Sequence, residues 1–185
     1  MKALKRILLG LGIIVVLLLI VSQLLPGKYH VERSITVAAK PEAIHPWLNN
    51  LKKWPEWSAW TAAKDPSLTY SYEGPEDGAG AISKWEAKKL GQGQMKLVEA
   101  DVAKGVKFDL SFEHGKYLST GTLSYAAAEG GTKITWSVDG KLSRNPVDRF
   151  FGMFMETFMA PDLEEGLGNL KKKAIIAPTV PSTAR

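Results

Sequence analysis

The run from Ile7 to Leu25 carries no charge, and Ser22 and Gln23 are its only polar side chains. At 1.5 Å per residue it spans roughly 28 Å as a helix, close to the ~30 Å hydrocarbon thickness of a bilayer. Leu, Ile and Val make up most of it, and each favours insertion by ~0.3–0.6 kcal/mol at mid-membrane. A cleaved leader usually has a shorter apolar core, followed by an Ala-x-Ala-like site. Here Ser22, Gln23, two leucines and Pro26 follow instead, so an uncleaved signal anchor is expected. Lys2, Lys5 and Arg6 precede the run, whereas Lys28 and Arg33 beyond it are partly offset by Glu32. Positive charge stays on the cytoplasmic side. The expected arrangement is a cytoplasmic N-terminus at residues 1–6, a transmembrane segment at 7–25, and one domain at 29–174 on the periplasmic or other extracytoplasmic face. A disordered tail is expected at 175–185, where two prolines interrupt a segment without periodicity.

The chain contains no cysteine, which removes disulfides, thiolate nucleophiles and cysteine-ligated metals from consideration. Its net charge of +5 comes from lysines scattered among acidic residues. Without a dense basic block, no nucleic-acid partner is expected.

Beyond the apolar run, Tyr29 to Val37 alternates strictly, with Tyr29, Val31, Arg33, Ile35 and Val37 on one side, which predicts a half-buried strand. Pro41 opens a short helical stretch with a break expected at Pro46, and WPEWSAW reads as a second short helix or tight turn. Further strands are predicted at Leu68–Glu73, Ala81–Ala87, Gln94–Ala100, Val106–Glu113, Leu118–Ala126 and Thr132–Val138. The short, mostly Gly-containing connections between them favour an antiparallel meander. From Asn145-Pro146 onward, Val147, Phe150, Phe151, Phe154, Met155, Phe158 and Met159 fall at helical spacing, and Leu163, Leu167, Leu170 and Ala174 continue the stripe across Pro161. This predicts a long amphipathic helix, kinked at Pro161 or built of two abutting pieces, that ends near Lys173 and lays its apolar side on the sheet. Burying a one-sided sheet against a one-sided helix gives an α+β two-layer domain.

This order of elements, together with YHVERSITVAAKPEAIHPWLNNLKKWPEWSAW, KDPSLTYSYEGPEDGAGAISKWEA, GGTKITWSVDG and LEEGLGNLKK, resembles the polyketide cyclase/dehydrase and lipid-transport family of the START-like (SRPBCC) superfamily. The resemblance runs from about Tyr29 to Lys173 and includes the membrane-anchored arrangement. It implies a helix-grip fold, a curved antiparallel seven-stranded sheet on a long C-terminal helix, and a ligand space between the two. Members bind lipids or other apolar molecules there, and only some do chemistry.

The residues themselves carry no catalytic constellation. His30, His45 and His114 have no partners at metal-ligand spacing, no Gly-x-Ser-x-Gly elbow is present, and no cofactor is expected. Aromatic and methionine side chains are the stronger signal. Candidate cavity-lining residues are Trp57, Trp60, Trp85, Phe108, Phe112, Trp136, Phe151, Met155 and Phe158, with Arg33 pointing inward among them. The same residues could make a solid core, and Arg33 could pair with an internal acid or turn to solvent instead of meeting a ligand. Gly166 and Gly168 either leave room near the helix end or permit close packing on the sheet. Three functions stay open: a membrane-tethered module that binds an apolar small molecule or lipid, a cyclase or dehydratase acting in the same space, and a non-catalytic envelope interaction or sensory protein with a filled core.

Overall fold

A computed structural model describes residues 2–176, and in it the alternating segments become strands. Helix α1 (Lys2–Leu24) leads into β1 (Lys28–Val37), α2 (Pro41–Leu48) and a 3-10 helix at Leu51–Glu56. Strands β2 (Thr69–Glu73), β3 (Ile82–Ala87), β4 (Gly91–Asp101), β5 (Gly105–Phe112), β6 (Tyr117–Ala128) and β7 (Gly131–Lys141) follow. Helices α3 (Pro146–Gly152) and α4 (Met155–Ile176) close the described chain. The tail expected at 175–185 overlaps α4 at residues 175 and 176, because that helix runs to Ile176; residues 177–185 lie outside the described residues.

The sheet has seven strands in the order β1-β7-β6-β5-β4-β3-β2. From β2 to β7 it is the expected meander, and β1 returns to pair antiparallel with β7, with Val31 opposite Val138 and Arg33 opposite Trp136. Three inward-facing aromatic rings lie directly across from glycines on the neighbouring strand: Tyr29 over Gly140, Trp85 over Gly93 and Phe108 over Gly121. A Cβ at Gly121 would fall 2.2 Å from the Phe108 ring, and one at Gly93 would fall 2.3 Å from the Trp85 ring. Each glycine therefore gives an aromatic ring a place to lie flat on the sheet, a packing device for curved sheets.

Helix α4 covers β1 and β7 with Leu163, Leu167, Leu170 and Ala174, all buried. The short helical segment contributes Ile44, Leu48, Leu51 and Trp54 to the same core. It is tied by its own indoles: Trp54 Nε1 donates to the Leu48 carbonyl at 2.9 Å and Trp57 Nε1 to the Trp47 carbonyl at 3.0 Å.

Pro46 was expected to break its helix and does not, and Pro161, where a kink or a junction of two pieces was expected, lies within one helix. A proline forfeits one backbone hydrogen bond, and tertiary packing on both sides of each site outweighs that loss. The interruption falls instead between Gly152 and Met155. There a Cβ on Gly152 would sit 2.1 Å from Leu142 Cδ1, so the chain uses a residue of low helix propensity to admit Leu142.

The Asp65 carboxylate organises the turn ahead of β2. It accepts from Ser67 Oγ at 2.6 Å, Lys89 N at 2.6 Å, Ser67 N at 3.0 Å and Leu90 N at 3.2 Å. The Ser67 hydroxyl and then the Lys89 amide hold its pKa well below the usual carboxylate range. A depressed folded-state pKa contributes stability above the unfolded value of about 3.9 and loses it as the pH falls further. Asp65→Asn is expected to be less stable at pH 7 and to lose less stability on acidification below about pH 4, as read from denaturant melts. Parallel acid limbs in the two proteins would show that Asp65 carries no such linkage.

Candidate functional site

The interior divides into two aromatic groups. In the first, Trp54 meets Phe108 edge-on with centroids 5.2 Å apart, and Trp57 meets Trp136 at 5.5 Å. Trp57 and Phe108 are fully buried and Trp136 nearly so. Gly166 on α4 seals this group, since a Cβ there would approach the Trp136 ring to 2.8 Å. Of the two readings of Gly166, close packing on the sheet is the one observed, whereas Gly168 has open space beside it. Trp57, Phe108 and Trp136 thus form solid core, and Trp136 Nε1 is buried there without a hydrogen-bond partner.

The second group lies toward the β2–β3 edge. Trp60 stacks on Trp85 at 5.9 Å, and Trp85 meets Phe112 edge-on at 5.4 Å. Behind the indoles is a cavity of about 20 Å³ lined by Leu51, Trp54, Ser58, Trp60, Tyr70, Ser83, Trp85 and Met95. That is room for about one water and far below the roughly 300–1,000 Å³ of small-molecule sites. The Tyr70 hydroxyl donates to the Trp60 carbonyl at 3.0 Å, and burial pushes its pKa up to about 12. Trp60 Nε1 donates to Asp162 on α4 at 3.2 Å, and Lys64 pairs with Asp162 at 2.8 Å and Glu165 at 2.9 Å. These bonds latch the Trp60 loop to α4. Larger hollows, of about 810 and 530 Å³, lie on the face of the sheet away from α4 among side chains such as Lys28, Lys96, Asp109, Asp139, Lys84 and Glu86. They are open and charged, and an apolar ligand would not be taken out of water there.

Of the ten candidates named from sequence, the structure brings Trp60 and Trp85 to the cavity and sets Phe112 against Trp85. Met155 packs on the core. Phe151 and Phe158 require correction: each is 54% exposed, and they stack on one another at 5.3 Å away from the sheet. The apolar stripe was expected to face the sheet along its whole length, but the side that carries Phe151, Phe154 and Phe158 is turned away from it, while Met155 and Met159 stay against the core. Arg33 pairs with Glu164 at 2.6 Å and Glu156 at 2.8 Å, both on α4. These two partners raise its pKa, Glu164 first, and of the alternatives for Arg33, pairing with acids is the one realised. Sequence reasoning missed Ser58, Tyr70, Ser83 and Met95. Ser83 shares a face with Trp85 by alternation and could have been found; Tyr70 and Met95 reach the site only through the pairings Tyr70–Trp85 and Ser83–Met95.

The three histidines are dispersed. His30 meets Asp139 at 2.8 Å, His114 meets Gln92 at 2.7 Å, and His45 faces Tyr125 at 3.3 Å with its pKa lowered by burial.

With this geometry in hand, comparison with known proteins places the domain. The family described as polyketide cyclase / dehydrase and lipid transport matches residues 28–174. No curated protein matches the sequence. Among solved structures, Ara h 8.0201 is similar at TM-score 0.57 and 15% identity, over 82% of this chain and 100% of that one. SA2116 from Staphylococcus aureus, a protein of unknown function, is similar at TM-score 0.62 and 9% identity, over 80% and 94%. The di-domain ARO/CYC BexL from the BE-7585A biosynthetic pathway is similar at TM-score 0.61 and 14% identity; 82% of this chain matches 52% of BexL, about half of its length. At such identities these likenesses establish the helix-grip fold and nothing finer.

Proposed function

Because this chain belongs to the polyketide cyclase/dehydrase and lipid-transport family, we propose that it is a membrane-tethered module that binds an apolar small molecule at the Trp60–Trp85 end of its interior. The family accommodates both ligand binding and cyclase chemistry. The observation that favours binding is the composition of the cavity wall. Its only titratable side chain is Tyr70, whose pKa is about 12 and whose proton is already given to the Trp60 carbonyl. General acid–base work needs a group poised near the working pH, and this wall offers none. At about 20 Å³ the space is too small for such a molecule as it stands, so a ligand enters by displacing side chains. Met95 is flexible, and partly exposed Trp60 is held by one hydrogen bond to Asp162.

Tethering rests on α1, whose segment Ala3–Leu24 contains an 18-residue stretch of mean hydropathy 2.9 and is long and apolar enough to cross a membrane. The charge difference across it supports an N-terminus in the cytoplasm and the domain on the far face. Under this reading, a cysteine at Glu129 reacts with a membrane-impermeant maleimide on intact cells.

The binding reading predicts that dodecanoate, at about 100 times its dissociation constant, raises the melting temperature of the full chain in nanodiscs by roughly 5–10 °C. Ser83→Leu fills the space and should abolish the shift. Equal shifts in both proteins would move the binding away from Trp60–Trp85, and none in the parent would support the filled-core interaction protein that the packing of Trp54, Trp57, Phe108 and Trp136 also fits.

A further inference from the structure

Helix α3 is turned inside out relative to a helix that packs on a core. Val147 is 72% exposed, and Phe151, Phe154 and Phe158 are each more than half exposed, the last two with centroids 6.3 Å apart. The polar side chains of α3 face the protein instead. Arg149 Nε donates to the Ser143 carbonyl at 2.6 Å and Nη1 to the Leu25 carbonyl at 2.7 Å, while Asp148 accepts from Ser143 and Tyr117. This surface is also fixed in place against the end of α1. Ser22 is fully buried, the Gln23 amide donates to the Arg144 carbonyl at 3.3 Å, and Leu142 N donates to the Gly27 carbonyl at 2.9 Å. Helix α3 therefore sits at the level where the apolar run of α1 ends, and Lys28, Lys141 and Arg144 are exposed on the neighbouring segments that hold it there.

We propose that α3 and the first turn of α4 form an interfacial helix that seats Phe151, Phe154 and Phe158 among the lipids of the leaflet from which α1 emerges, with the three cations against lipid phosphates. An apolar face beside a basic rim, held at the end of a membrane span, has the chemistry of a surface-lying amphipathic segment. Its occupant is bilayer lipid, because the contacts with α1 leave this patch no other apolar medium at that height. The inference rests on the reading that α1 spans the membrane, and its test keeps the two apart.

The chain has no native cysteine, so single cysteines can be spin-labelled cleanly. Phe151→Cys, Phe154→Cys, Val15→Cys within α1 and Glu129→Cys in the β6–β7 turn, at the other end of the strands, are placed one at a time in the full chain. Each is reconstituted in phosphatidylcholine/phosphatidylglycerol vesicles. The logarithm of oxygen over nickel-chelate accessibility is expected to be positive at positions 151, 154 and 15 and negative at 129. A positive value at 15 with negative values at 151 and 154 overturns the interfacial helix alone. Shielding of 151 and 154 from both relaxants, the signature of a second copy covering the patch, overturns it too. A negative value at 15 overturns the membrane span and the proposal with it.

Discussion

Phe108→Ala is expected to cost about 3–5 kcal/mol, a large share of the 5–15 kcal/mol that holds a typical domain together. The ring is fully buried, lies flat over Gly121 and takes the Trp54 indole edge-on at 5.2 Å. Its removal leaves a void with a glycine as its floor, and a glycine has no side chain with which to collapse into the space. The neighbours are indoles pinned by hydrogen bonds, Trp54 to Leu48 and Trp57 to Trp47, which further limits relaxation. Leu118→Ala makes the comparison: Leu118 is 61% exposed, and a surface change of this kind is expected to stay within about 0.5 kcal/mol. Chemical denaturation followed by near-UV dichroism reads both. A Phe108→Ala protein as stable as Leu118→Ala would show that the Trp54–Phe108–Trp136 group is not the core.

Much of this fold is legible in the residues. Period-two alternation locates every strand to within a few residues, as with Val106–Glu113 against the observed Gly105–Phe112. Alternation also assigns Phe108, Trp85 and Trp136 to the inner face. It does not state which strands become neighbours, so the return of β1 to β7 and the aromatic–glycine pairs appear only with the register. Helical spacing has a similar limit. It groups Val147, Phe151, Phe154 and Phe158 on one side without saying what covers that side, and at about 100° per residue Phe158 lies across α4 from buried Leu163 and Leu167. The inward position of Arg33 is readable too, yet its partners Glu156 and Glu164 come from a helix whose placement the alternation leaves open.

The candidate site was legible to a lesser degree for the same reason. Trp60 and Trp85 announce themselves by size. The cavity behind them depends on small and flexible neighbours, Ser58, Ser83 and Met95, whose spatial convergence no local pattern encodes. Gly166 shows how a small residue misleads: it leaves no room in the interior because the Trp136 ring takes the space that its missing side chain vacates.

The proposed binding of an apolar molecule at Trp60–Trp85 carries the second large expected effect, because an occupied and an empty protein differ by the whole mass of a ligand. Full-length protein extracted from its own host's membranes in mild detergent and released intact in the mass spectrometer measures this directly. The account predicts chain plus one apolar molecule, lost on unfolding in organic solvent and recoverable when dodecanoate is added back, with Ser83→Leu flying bare. A parent chain that flies bare both from its native membranes and after dodecanoate is supplied would contradict it.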